Sequence, residues 1–167
     1  VANSGPVEAA SIEVTTLVDV VADDGETSLR EAISAANAQS GPDVITFAPG
    51  LSGTSDLSDR LSISDDLQIA GPGESVVALT SAQDALYLFD DAVVSLSGLT
   101  IDSPGRDGIV VSSASVAMAD VTVSNAGGRG VALEPGAPLA NVNTLSMSGS
   151  TISGSALEGL DAHSTLG

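Results

Sequence analysis

Two short segments that recur in step, apolar residues that alternate inside each recurrence, and a near-absence of aromatic side chains predict an all-β chain: a right-handed parallel β-helix of about 22 residues per rung with an N-terminal capping α-helix. The segments LSGLTID (96–102), MADVTVS (118–124) and MSGSTIS (147–153) align with steps of 22 and 29 residues. GIVV (108–111), GVAL (130–133) and GLDA (159–162) keep the same two steps. The longer step carries its extra residues between 134 and 144, where Pro135, Gly136 and Pro138 mark an inserted turn. Insertions in a solenoid belong in loops, so the repeat survives this one.

Each repeat alternates with a period of two and divides into three short strands: Val94 and Leu96, then Leu99 and Ile101, then Ile109 and Val111. Laying the turns over one another produces columns Val94/Val116/Leu145, Leu96/Met118/Met147 and Ile101/Val123/Ile152. Rungs spaced by about 4.8 Å would bury them as aliphatic ladders. A less regular turn runs through 67–69, 76–79 and 86–89, with Gly71-Pro72-Gly73 as its corner. Spacing leaves two registers open at its end, Leu86 and Leu88 inward or Tyr87 and Phe89 inward. The first rungs fall at 44–47 and 61–63.

Ahead of the rungs, Ser28 and Glu31 have capping-box spacing. They open a helix over 28–38 with Leu29, Ala32, Ile33 and Ala36 on one face, stopped by Gly41-Pro42. Such a helix laid across the open end of a solenoid would shield its apolar columns. The alternating stretch 12–21 is expected to lead into this cap as an edge strand. The chain thus reads as one domain over 1–167, with strand and cap in 1–43 and rungs in 44–167. No cap is evident after the last repeat.

Composition narrows the partners. There are 22 acidic residues against four Arg (Arg30, Arg60, Arg106, Arg129) and no Lys, a net charge of −18. A polyanion repels nucleic acid and anionic lipid, so neither is expected as a partner. Only Phe47, Tyr87 and Phe89 are aromatic, so the core must be narrow and aliphatic. The absence of Cys excludes disulfides and thiolate metal sites. No apolar run approaches the roughly 18 residues of a membrane span, so membrane insertion is not expected. The opening residues 1–6 read as a mature start after a removed signal peptide, which places the protein outside the cell or on its surface.

These residues resemble a known group. TSLREAI (27–33), AAN (35–37), ITF (45–47), LQIAGPG (67–73) and LSGLTI (96–101) are similar, in that order, to the CSLREA-type N-terminal region of bacterial right-handed β-helix surface proteins. Thr27 stands where the family name places Cys. The resemblance, over roughly residues 12–160, implies a parallel β-helix, export and a surface or matrix role. It implies no catalytic residues.

Chemistry is hard to find in this chain. A polysaccharide lyase needs a base and a positive group for the substrate carboxylate, yet Lys is missing and the Arg residues stand singly. Arg106 and Arg129 occupy corresponding loops, either stacked as a basic pair or balancing Asp107 or Asp120. A glycosidase pair would have to come from Asp102, Asp107 and Asp120, and His163 is a lone terminal histidine. The acidic pairs Asp23-Asp24, Asp65-Asp66 and Asp90-Asp91 stand in turns where Ca2+ is the cation they would take, without EF-hand or nonapeptide spacing. We therefore assign no catalytic, cofactor-binding or metal residues.

The function expected is a secreted or surface structural or adhesive β-helix, self-associating head to tail into fibres, with an extracellular glycan as a weaker candidate partner. The rival readings are the N-terminal part of a polysaccharide lyase or glycoside hydrolase, and a calcium-dependent adhesion module.

Overall fold

A computed structural model of the chain describes residues 9–135 and 142–162. His163, the opening residues 1–6 and the Gly136 and Pro138 of the inserted turn lie outside the described residues. The elements are, in order, β1 (Ser11–Val14), α1 (Leu29–Asn37), β2 (Asp43–Phe47), β3 (Gly53–Leu57), β4 (Leu61–Ile63), β5 (Leu67–Ala70), β6 (Val77–Ser81), β7 (Leu86–Leu88), β8 (Val93–Asp102), β9 (Ile109–Ser112), β10 (Ser115–Ser124), β11 (Val131–Glu134), β12 (Thr144–Ser148), β13 (Thr151–Ser153) and β14 (Leu160–Ala162). All the strand pairings are parallel, and they build a β-solenoid of about four turns.

Three faces result, matching the three strands per turn read from the alternation. The first stacks β1, β2, β5, the first half of β8, the first half of β10, and β12. The second stacks β3, β6, the second halves of β8 and β10, and β13. The third stacks β4, β7, β9, β11 and β14.

The expected columns form in register. Val94 pairs with Val116 and that with Leu145; Leu96 with Met118 and that with Met147; Ile101 with Val123 and that with Ile152. The middle column runs further, from Ile12 through Ile45 and Ile69. Burial follows it closely, with Ile45 and Ile69 at 0% exposure, Leu96 at 1% and Met118 at 2%. Met147 corrects the expectation: it is aligned with Met118 but 40% exposed, because β12 pairs on one side only among the described residues. The open register at 86–89 resolves with Leu86 and Leu88 inside. Tyr87 faces out, stacked on Phe89 at 5.3 Å between centroids, with the Arg60 guanidinium 4.3 Å over its ring. Each fully buried aliphatic side chain contributes about 1.5–3 kcal/mol, so the ladders dominate stability.

Corners between faces need a sharp turn at a fixed height, and the backbone makes it in the left-handed region. Gly98 (φ 58), Asp120 (φ 52) and Gly149 (φ 62) do so at one corner, where Ser97 pairs with Ala119 and Leu99 with Val121 on either side. Asn125 (φ 51) and Gly154 (φ 68) do so at the next, and Asp90 (φ 56) and Ser113 (φ 55) at the third. Asp and Asn tolerate this conformation better than other non-glycine residues. At Gly98 a side chain is also excluded by space, since a Cβ would lie 2.7 Å from the Gly71 carbonyl oxygen.

The N-terminal end is closed. The Ser28 hydroxyl accepts the Glu31 amide at 3.2 Å and the Glu31 carboxylate accepts the Ser28 amide at 2.8 Å. Leu29, Ala32, Ile33 and Ala36 are buried and join one core with Val14, Ile45 and Leu61. The edge strand is shorter than expected: β1 stops at Val14 instead of running to Val21. Beyond it the Thr15 and Thr16 amides both donate to the Thr27 carbonyl, which turns the chain off the ladder. Asp19 then holds the crossing segment, accepting from Arg30 Nε and Nη2 at 2.8 Å each and from the Ser58 amide and hydroxyl at 2.7 Å each. Arg30 also donates to the carbonyls of Asp59 and Arg60, tying α1 to the turn after β3.

Alternation gives a direct test. Leu96→Asp should destabilise the fold by about 3 kcal/mol or more by burying an unpaired carboxylate. Ser95→Asp, one residue away on the exposed side, should cost under about 1 kcal/mol. Equal urea midpoints for the two variants would show the register to be wrong. Ser28→Ala should cost about 1 kcal/mol through loss of the capping box.

Candidate functional site

Of the loops that join the second face to the third, the three at 103–108, 125–130 and 154–159 stack so closely that glycines stand where they touch. A Cβ on Gly127 would lie 2.3 Å from the Pro104 carbonyl oxygen. This close stacking leaves a shallow groove of about 510 Å³ lined by Arg106, Asp107, Arg129, Glu158 and Asp161. Five of its lining side chains are charged.

Arg129 sits at the centre of the groove and is four-fifths buried. Its guanidinium donates to Asp107 Oδ2 through Nη2 at 2.5 Å and Nε at 3.1 Å, to Glu134 at 2.6 Å and to Asp161 at 3.1 Å. The Arg129 amide adds a bond to Asp107 Oδ1 at 2.6 Å. These bonds join three consecutive turns, since β9, β11 and β14 are neighbours on the third face. Burial pushes the Asp107 carboxyl up, but the hydrogen bonds and charge of Arg129 outweigh it and hold the group below its ordinary 3.8. Arg129 is correspondingly raised, through its bonds to Asp107 first.

That arrangement has little to offer a substrate. The buried guanidinium is already compensated by three carboxylates, so it is not available to neutralise a uronate. A carboxyl held below its usual range is a weak proton acceptor at neutral pH. Arg106 does not stack on Arg129: it faces Asp84 at 3.8 Å and is two-thirds exposed. Of the two acids expected to balance these arginines, Asp107 does so, whereas Asp120 turns the first corner.

The carboxylates considered for glycosidase chemistry do not converge. Asp102 pairs in register with Ser124, four residues along β10 from Asp120. That separates them by roughly 13 Å along the strand, beyond the span of a hydrolytic pair. Asp107 is committed to Arg129. The acidic pairs hold backbone amides: Asp24 accepts the Glu26 amide at 2.9 Å and Asp65 the Asp66 amide at 2.8 Å within their own turns, and Asp66 accepts the Val93 amide of the next rung at 2.8 Å. Asp90 and Asp91 both take positive φ. Among the described residues no three such side chains gather where a metal ion would sit.

The outer surface of the second face carries hydroxyls in two in-register columns. One runs Thr54, Ala78, Thr100, Thr122, Thr151 and the other Asp56, Thr80, Asp102, Ser124, Ser153. The 71–76 corner leans over part of it, with the Glu74 carbonyl accepting from Thr100 and its carboxylate accepting from Thr122 at 2.9 Å. Polar ladders of Ser and Thr were expected only in general terms, and the TxS and TxD spacing of the repeats is the signal that places them; Glu134 and Asp161 as further partners of Arg129 carry no such signal.

Arg129→Gln should leave Asp107 and Asp161 without their cation and destabilise the fold by about 3 kcal/mol, measured by urea denaturation. Acid should act through the same groups. Asp19, Glu31 and Asp107 all lie below their ordinary values of 3.8 and 4.5: Asp19 through Arg30 and Ser58 against burial, Glu31 through the Ser28 and Ala22 amides. Their stabilisation is therefore complete above those values and is lost as pH falls through the lower folded ones. The melting temperature should be level from neutral pH down to about 5 and drop below about 4. The drop should be shallower in Arg129→Gln.

No protein-family model matches the chain, and neither a curated protein nor a solved structure does, so its fold and groove stand on their own geometry.

Proposed function

We propose that the chain is a structural or adhesive solenoid of the extracellular space or cell surface, without hydrolase or lyase activity, that works by presenting repeated faces and self-associating through its ends. The observation that carries this reading is the commitment of Arg129. The more buried cation of this groove is spent on three carboxylates of the chain itself. The in-register outer columns, mostly Thr and Ser with Ala78, Asp56 and Asp102 among them, support the same reading, because a repeated surface suits a spacer or a multivalent contact. So does the resemblance of the α1 region and the 96–101 rung to CSLREA-type β-helix surface proteins. An extracellular glycan is the second partner this surface suits, held by hydroxyls since stacking aromatics are scarce.

Incubation with uronate polymers and neutral polysaccharides tests the proposal. No new reducing ends and no absorbance from unsaturated uronates are expected. Turnover abolished by Asp102→Asn or Asp107→Asn would favour the lyase or hydrolase reading instead. A melting temperature raised by several degrees in millimolar calcium, and reversed by chelation, would favour the calcium-dependent module.

A further inference from the structure

The sequence contains Asp-Gly twice, at 24–25 and at 107–108, and the fold treats the two pairs in opposite ways. Asp107 and Gly108 are buried in the stacked corner. Both oxygens of the Asp107 carboxylate accept from Arg129, the Gly108 amide donates to the Arg129 carbonyl at 3.0 Å, and the Gly108 carbonyl accepts the Leu86 amide at 3.1 Å. The side chain and the peptide that follows it are thus each held by a neighbouring turn. Asp24 and Gly25, in contrast, are exposed in the segment that links β1 to α1. Asp24 Oδ1 accepts the Glu26 amide at 2.9 Å, which bends the carboxyl forward over the Asp24–Gly25 peptide. Gly25 takes φ 85 and has open space where a Cβ would stand, and its amide donates to no group among the described residues. With no side chain at Gly25, nothing obstructs an approach of that nitrogen to the carboxyl carbon, and the backbone is free to take the dihedrals the approach needs.

We propose that Asp24 is a site of spontaneous backbone modification, converting to isoaspartate through a cyclic imide, and that Asp107, in the same dipeptide, is protected by the fold. The Gly25 amide nitrogen attacks the carbon of the Asp24 side-chain carboxyl. A C–N bond forms, a C–O bond breaks, and the carboxyl hydroxyl departs as water with the amide proton. Water then adds to one of the two carbonyls of the ring and opens it. Opening at the side-chain carbonyl restores aspartate, whereas opening at the main-chain carbonyl leaves the chain running through the side-chain carbon. The water lost in the first step is returned in the second, so the product has the mass of the reactant and no other co-reactant enters. Isoaspartate lengthens the main chain by a methylene between two anchors of the cap, Ala22, whose amide donates to Glu31 at 2.8 Å, and Ser28, which caps α1. At Asp107 the same attack would first require the carboxylate to leave Arg129 and the Gly108 amide to leave its rung.

The folded chain and a urea-unfolded sample, aged side by side near neutral pH in heavy-oxygen water and then cut after arginine, test this. Cleavage separates the two sites, since Asp24 falls in fragment 1–30 and Asp107 in fragment 107–129. In the folded chain, fragment 1–30 should gain a heavy oxygen and a component that accepts a methyl group from a protein isoaspartate methyltransferase, and fragment 107–129 should gain neither. In the unfolded sample both fragments should react. Asp24→Glu, which would have to close a larger ring, should lose the reaction in fragment 1–30. Equal labelling of the two fragments in the folded chain overturns the proposal, as does a folded fragment 1–30 that stays unlabelled after the unfolded one has reacted. Labelling of fragment 1–30 that survives Asp24→Glu places the reaction at another residue and overturns it too.

Discussion

Parallel pairing in strict register is the constraint on which everything else in this molecule depends. Side chains alternate with a period of two, so a slip of one residue in any turn would turn its aliphatic set out to solvent and bring Ser, Thr or Asp inside. The corners follow from this, because each turn must change direction at the same height as its neighbour. Left-handed residues accordingly recur at equivalent places, Gly98 with Asp120 and Gly149, Asn125 with Gly154. The scarcity of aromatics follows as well: three faces close on a narrow interior filled by two Ile, Leu, Val or Met side chains per face and turn, as Val94 and Leu96, Leu99 and Ile101, and Ile109 and Val111. Tyr87 and Phe89 stay on the outside, while Leu86 and Leu88 enter. Insertions survive only at corners, as in the 71–76 loop that folds back on Thr100 and Thr122.

Charge is arranged around the same frame. With four cations against 22 acids, each Arg has a place between turns. Arg30 fixes α1 to Asp19 and to the carbonyls at 59 and 60, Arg60 covers Tyr87 one turn on, Arg106 faces Asp84, and Arg129 gathers Asp107, Glu134 and Asp161. Exposed pairs such as the one from Arg106 are worth at most about 1 kcal/mol. The largely buried ones at Arg30 and Arg129 matter more, because removing either partner strands the other. The positive charge of this chain is therefore structural before it is available to any ligand.

The columns were legible in the sequence because they depend on local alternation and on the step between repeats, both visible along one chain. The capping box was legible for a similar reason, as Ser28 and Glu31 act on each other across three residues. Other features depended on what a segment meets in space. Residues 12–21 alternate throughout, yet β1 ends at Val14 because the Thr27 carbonyl captures the next two amides. Met147 has the pattern of Met118 but not its burial, since burial in a solenoid is supplied by the turn above. Arg129 reads as a surface residue of a Gly-rich loop, and only the stacking of β9, β11 and β14 surrounds it with carboxylates. Asp43 is the sharpest case. It occupies the inward column of Leu67, Val94, Val116 and Leu145, is 2% exposed, and gives one oxygen to the Ala10 amide at 2.7 Å. Alternation alone would place an aliphatic residue there.

Asp43 and α1 together explain why the two ends of the fold are not equivalent. Every turn stabilises the next through the same ladders, so a solenoid has no intrinsic reason to start or stop. At the start, a carboxylate in the inward column ends the aliphatic ladder and β1 begins beside it, while a helix of different periodicity covers what remains. Both devices use side chains that do not fit the repeat. The last turn keeps the repeat unaltered, with Leu145, Met147, Ile152 and Leu160 in their column positions. Among the described residues, the side chains that break the repeat therefore lie on the α1 side, at Asp43 and in the helix itself.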